Sequence, residues 1–157
     1  MQNFPMTAKG FAKLTEELKH LKTVERPSII KAIAEARALG DLSENAEYHS
    51  AREKQSFIEG RIIELEDKIA RSEVIDISKL SGDIVKFGAT VKLIECENDN
   101  ERVYQIVGEY EANLDHGLIS IASPLARAII GKKIDDTVEV ITPNGVREYQ
   151  ILEVEFK

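Results

Sequence analysis

The sequence predicts an α+β protein in which a long N-terminal antiparallel two-helix coiled coil, residues 1–75, precedes a small antiparallel-sheet domain with one short helix, residues 76–157. Three observations carry the prediction. Apolar residues recur at helical spacing from residue 11 to residue 69. After residue 90 the period switches to short, β-rich alternating runs. Charge is divided unevenly: residues 1–75 hold 12 Lys plus Arg against 13 Asp plus Glu, and residues 76–157 hold 9 against 15, nearly all of the net charge of −7. Two electrostatic surroundings suggest two domains with two tasks.

The first arm opens on Thr7, a good N-cap, and Phe11, Leu14, Leu18 and Leu21 follow at spacings of 3, 4 and 3. Pro27 removes a backbone donor and predicts a kink or short break. Ile30, Ile33 and alanines 32, 34, 36 and 38 resume the pattern until Gly40, a natural stop. The second arm starts within residues 41–45 and is expected to reach about Val74. Its stripe is Ala51, Ile58, Ile62, Leu65 and Ile69, with Gln55 at the remaining core-type position. Two such heptad seams joined by a short turn can be buried only against each other, antiparallel. Arms of about 30 residues predict a hairpin roughly 45 Å long at 1.5 Å per residue.

In the second half, residues 90–95 and 103–107 read as strands joined across Asn98-Asp99-Asn100, and residues 118–122 as a third strand. Ser123 and Pro124 supply an N-cap and a proline at the first position of a short helix through Ile130, which Gly131 ends. Residues 138–142 and 147–156 form a hairpin whose Asn144-Gly145 suits a type I′ turn. Residues 75–87 connect the halves, loosest at Ser81-Gly82.

Composition excludes several classes of function. The apolar and charged fractions, 43% and 31%, are those of a soluble globular protein. No apolar run approaches a membrane span, so no membrane partner is expected. The opening residues lack the basic leader and apolar stretch of a signal peptide, which predicts a cytoplasmic protein. A single cysteine, Cys96, fits a reducing compartment. His20, His49 and His116 share no metal-ligand spacing with Cys96. The phosphate-binding glycine motifs, HExxH and GxSxG are absent, and no small-molecule substrate is implied. Net acidity argues against a general nucleic-acid binder.

Residues 38–48, Ala-Leu-Gly-Asp-Leu-Ser-Glu-Asn-Ala-Glu-Tyr, form the tip. The ordinary account of its acids is capping: Asp41 as N-cap with Glu44 three residues on, or Ser43 as cap. The alternative is that Asp41 and Glu44 present two carboxylates from one exposed turn, a hard-oxygen pair that suits a Mg²⁺ ion taking its remaining ligands elsewhere. At the free end of an arm such a pair cannot enclose a substrate, so any chemistry would occur in another molecule's pocket. Arg37 and Arg52 flank the tip. They either join surface ion pairs with Glu35, Glu47 or Glu53, or hold a phosphate backbone. Tyr48 either stacks on a base or packs on the neighbouring helix.

These residues resemble the Gre family of bacterial transcript cleavage factors. The resemblance rests on Arg26-Pro27, residues 33–37 (IAEAR), 40–49 (GDLSENAEYH), 51–53 (ARE), 87–91 (FGATV), 119–127 (ISIASPLAR), 131–132 (GK) and 142–145 (TPNG). It spans nearly the whole chain in order, and the nearly neutral hairpin is similar to the less basic branch of that family. The resemblance implies an FKBP-like fold for residues 76–157 and a partner, bacterial RNA polymerase, whose secondary channel the hairpin enters. Asp41 and Glu44 match the acidic pair that helps hold a Mg²⁺ shared with the polymerase and position the attacking water. The backtracked RNA 3′ end is then cut at the polymerase's own site, so the chain is not itself an enzyme. Ser43 matches a supporting tip position, and Arg37 and Arg52 match a small basic patch that contacts the RNA. Residues 119–127, centred on Ser123 and Pro124 and including Arg127, are the candidate surface for docking on the coiled coil at the channel mouth. No metal or cofactor is expected on the free protein, because two carboxylates in open water make a poor cage. Two rival functions follow from the same residues: a channel-blocking polymerase inhibitor, which would not need both acids, and a prolyl isomerase, which would need an aromatic-lined pocket.

Overall fold

In the computed structural model, which describes residues 3–157, Thr7 caps the first arm as its position predicts. Its Oγ1 accepts the Gly10 N–H at 3.0 Å, and helix α1, Ala8–His20, starts behind it. The break expected at Pro27 takes a definite form. A π-helical turn, Leu21–Glu25, precedes helix α2, Arg26–Arg37, and the Arg26 N–H donates to the Leu21 carbonyl. Proline lacks an N–H and its ring crowds the carbonyl four residues back; widening the preceding turn accommodates both demands without ending the helix.

Helix α3, Ala46–Ala70, forms the second arm. Its buried Ile58 and Ile62 meet Ile29 and Ile33 of α2, while Leu18, Leu21, Tyr48 and Ala51 pack around them. Ion pairs give the direction of the seam: Arg26 meets Glu59 at 2.7 Å and Lys22 meets Glu66 at 3.4 Å, so the arms run antiparallel. The arm ends earlier than the sequence suggests. Strand β2, Ser72–Ile75, follows it and pairs with β1, Phe4–Thr7, so residues predicted as the last helical turn are extended. Val74 and Ile75 are β-branched, and a ready partner strand outweighs one more turn of helix.

The remaining elements are β3, Thr90–Glu95, β4, Glu101–Val107, β5, Leu118–Ser120, helix α4, Pro124–Ile129, β6, Thr137–Thr142, and β7, Gly145–Glu155. They build one five-stranded sheet in the order β5-β4-β3-β7-β6. Every pairing is antiparallel except β4 with β5, which is parallel; the sheet is therefore mixed, a refinement of the all-antiparallel expectation. The return path through residues 108–117, with short 3₁₀ turns at Glu109–Glu111 and Leu114–His116, makes that crossover possible. A bulge between Lys92 and Leu93 shifts the β3–β7 register. The core holds Val91, Leu93, Ile106 and Ile151 from the sheet with Ala126 and Ile129 from α4, all fully buried. The β6–β7 turn is not type I′: among its residues only Gly145 has positive φ, at +120°, and Pro143 fixes the preceding φ negative.

Two units emerge from the packing, residues 11–72 and residues 3–10 with 73–157. The sequence placed residues 1–75 in the hairpin; the units divide between Ser72 and Glu73, and residues 3–10 go with the second. Among the described residues no helix is long and apolar enough to cross a membrane.

Candidate functional site at the hairpin tip

Helix α2 closes with the Leu39 N–H donating to the Ala36 carbonyl at 3.1 Å, and Gly40 turns the chain at φ +128°. That backbone conformation is open to glycine and strained for other residues. The chain re-enters helix at Asn45. Its Oδ1 accepts the Tyr48 N–H at 3.0 Å, and its Nδ2 donates to the Ala36 carbonyl at 2.5 Å. One side chain thus caps α3 and holds the last turn of α2, fastening the two arms together at their end.

Asn45 corrects the capping account. Neither Asp41 nor Ser43 caps α3, and Glu44 is not part of a capping box, because the cap lies beyond all three. Asp41 Oδ1 instead accepts the Ser43 N–H at 3.0 Å and the Ser43 Oγ–H at 2.9 Å, a local Asx turn. Those two hydrogen bonds, the backbone one first, hold the Asp41 carboxyl below its ordinary range. Glu44 is exposed and, among the described residues, makes no hydrogen bond or ion pair. Residues 41–44 are all exposed.

The flanking cations differ from the rest of the hairpin. Toward the root, Arg26 pairs with Glu59, Arg61 with Glu17 at 2.8 Å, and Arg71 with Asp67 at 3.2 Å. Among the described residues neither Arg37 nor Arg52 has a carboxylate within 4.0 Å, and Glu35 lies near Lys31 instead. Arg37 sits 6.0 Å from the Tyr48 ring centroid, at the outer limit of a cation–π contact. Tyr48 itself packs, partly buried, on the α2–α3 core. His49 lies edge-on to that ring at 5.6 Å, and its Nε2 is 3.4 Å from the Ser43 carbonyl.

The tip therefore displays two carboxylates and two guanidinium groups that, among the described residues, form no ion pair. The donor set suits a divalent cation in part. Two hard oxygens are present, but among the described residues no three His, Cys, Asp or Glu side chains gather closely enough to hold one alone.

In the second unit, Ser123 Oγ accepts the Ala126 N–H at 3.2 Å and Pro124 occupies the first position of α4, as expected. Ala126 and Ile129 anchor the helix, leaving Pro124 and Arg127 exposed. The aromatics of this unit are used in packing. Phe87 and Tyr149 are buried in the core, Tyr104 and Phe156 lie against it, and Tyr110 meets Phe4 edge-on at 5.2 Å.

Two residues of consequence escaped the sequence reading. Asn45 is as good a cap as Asp41, and its position directly before the uninterrupted run Ala46-Glu47-Tyr48 was the available signal. Glu111 gives no local signal, because two of its three hydrogen bonds reach Thr7, 104 residues away.

The chain thus joins a helical hairpin with an exposed charged tip to a second compact unit built on a five-stranded sheet. Residues 4–74 match the family profile "Transcription elongation factor, N-terminal", and residues 80–156 match "Transcription elongation factor, GreA/GreB, C-term". The transcription elongation factor GreA of Phenylobacterium zucineum (strain HLK1) is 62% identical over 99% of both chains. That of Rickettsia typhi (strain ATCC VR-144 / Wilmington) is 64% identical over 98% of this chain and 95% of its own. The crystal structure of the GreA factor homolog 1 protein of Thermus thermophilus matches over 98% of this chain and 99% of that one, at 26% identity and a TM-score of 0.45. The chain belongs to the GreA/GreB family of transcription elongation factors.

Proposed function

We propose that the tip enters the secondary channel of bacterial RNA polymerase and supplies Asp41 and Glu44 to the site at which backtracked RNA is hydrolysed, so that stalled elongation resumes. The observation that supports this most is that neither acid caps a helix: Asn45 does so, Asp41 bonds to Ser43 within the tip turn, and both acids remain exposed. The factor is a stimulator and the catalytic site is the polymerase's.

Each tip residue has a role in this reading. Ser43 orients the Asp41 carboxylate through two donors. Glu44 offers a second, freely adjustable carboxylate. A Mg²⁺ held jointly by these carboxylates and the polymerase would supply a nucleophile at neutral pH and charge for the leaving oxygen. Arg37, steadied against Tyr48, and Arg52 grip the phosphates of the extruded RNA. Ser123, Pro124 and Arg127 dock the second unit on the coiled coil at the channel mouth.

The test is Asp41→Asn with Glu44→Gln in a stalled-complex cleavage assay. Polymerase binding survives and cleavage collapses. Cleavage at the wild-type rate would remove the acids from the mechanism, and the channel-blocking reading would replace it. The isomerase reading has no support in the packing, since the aromatics it needs are taken up in the core or against Phe4.

A further inference from the structure

Capping α3 does not by itself call for an amide, because Asp and Ser serve a helix N-terminus as well as Asn does. What the amide of Asn45 adds is a donor. Its Oδ1 accepts the Tyr48 N–H at 3.0 Å, while its Nδ2 donates to the Ala36 carbonyl, nine residues back, at 2.5 Å. A backbone N–H can only donate and a carbonyl can only accept, so these two partners together demand a carboxamide, held in one orientation. Ala36 lies in the last turn of α2, where carbonyls run out of intrahelical donors, and it is 3% exposed. Its carbonyl oxygen takes the Leu39 N–H at 3.1 Å on one side and the Asn45 amide on the other.

The two acids hang between these fixed points. Residues 40–44 belong to neither helix and are all exposed. The bonds from Ser43 to Asp41 give the turn its shape but attach it to neither arm. Its other attachments are long: the Gly40 N–H lies 3.5 Å from the Arg37 carbonyl, and His49 Nε2 lies 3.4 Å from the Ser43 carbonyl. The two bonds of Asn45 are shorter, and they close the loop where it re-enters helix. All of these residues lie within one unit, residues 11–72, so the placement of the turn is a property of the hairpin alone.

We propose that Asn45 is a positioning residue for transcript cleavage: by tying the N-cap of α3 to the last turn of α2, it fixes where the exposed turn holds Asp41 and Glu44 on the hairpin. The inference rests on the proposed cleavage function. Without the tie the helix keeps its cap and both acids remain, but the turn samples a wider range of positions. A Mg²⁺ ion shared with the partner is then held in productive geometry for less of the time, and stimulation falls.

Two variants separate the tie from the cap. Asn45→Ser keeps an uncharged cap but is too short to bridge both partners, and Asn45→Asp keeps the cap but turns an acceptor toward the Ala36 carbonyl. Each full-length variant is titrated into stalled complexes, and three quantities are read: the plateau cleavage rate, the half-saturating concentration of factor, and the Mg²⁺ concentration for half-maximal cleavage. In both variants the plateau falls by between about threefold and the roughly hundredfold that a 1 Å misplacement costs. The half-saturating concentration is unchanged, and the Mg²⁺ requirement rises toward that of complexes without factor. A role confined to capping would leave all three quantities at their wild-type values, because both variants retain the cap. A loss of folded protein would raise the half-saturating concentration with the plateau kept. NMR relaxation of the free protein supplies a readout independent of polymerase: in Asn45→Ser the amide order parameters of Leu42 and Glu44 fall, while those of Ile58 and Ile62 stay rigid. An unchanged plateau in either variant overturns the proposal, whatever the order parameters do. Asp41→Asn is run alongside: if it leaves cleavage unchanged, the cleavage reading itself has failed, whereas a loss there with none in Asn45→Ser rejects the positioning role alone.

Discussion

A single amide, Asn45, decides how the acids of the tip are understood. By capping α3 and bonding the Ala36 carbonyl it frees Asp41 and Glu44 from helix capping. Replacing it with alanine removes the cap and the tie between the arms, and should cost about 1–2 kcal/mol, measured by denaturant unfolding. Ser43 has a different effect. Its two donors depress the Asp41 pKa, so the turn gains stability that is present above the unfolded-state pKa and lost as pH falls through the lower folded value. In Ser43→Ala the Asp41 carboxyl titrates higher, toward its ordinary value, as NMR of the carboxyl carbon would show. For the cations, Arg37→Ala with Arg52→Ala should weaken action on long backtracked RNA; unchanged crosslinking to the RNA 3′ end would count against the contact. Asp41, Ser43, Glu44, Arg37 and Arg52 were legible in the sequence as tip residues, whereas Asn45 was not. Their partners were not legible either, because three candidate caps within five residues compete and only packing of the two arms selects one.

At the scale of elements, the seam matters more than the ion pairs that decorate it. Ile62 is 1% exposed between the arms, and Ile62→Ala should destabilise the hairpin by about 2–5 kcal/mol. Arg26→Gln breaks a bidentate but solvated pair with Glu59, and it should cost less than Ile62→Ala, because solvent screens exposed charges. Thermal unfolding of the two variants checks the ranking. Periodicity made the arms, α4 and strands β3, β4, β6 and β7 readable, since each is bounded by a cap, a glycine or a proline. It failed at β2, where four residues lie between a helix and a loop and only the partner strand β1 decides their conformation. The parallel pairing of β5 was illegible for a similar reason: a three-residue strand carries no direction in its sequence.

For the whole molecule, docking and chemistry fall to different units in the proposed function, in keeping with the unequal charge of the two halves. Variants should therefore separate. Pro124→Ala with Arg127→Ala raises the concentration of factor needed and spares the plateau rate, whereas changes at the tip lower the plateau and spare binding. Glu111 had no such signature, because its meaning depends on a partner at the other end of the chain.

The central claim is that the tip is half of a metal site, and the Mg²⁺ dependence of transcript cleavage tests it most directly. With the wild-type factor, stalled complexes should reach half-maximal cleavage at a lower Mg²⁺ concentration than complexes without it. The shift should be at least the roughly tenfold that losing an outer-shell partner costs a metal site, and it should vanish with Asp41→Asn and Glu44→Gln. An identical Mg²⁺ requirement with and without the wild-type factor would contradict the account.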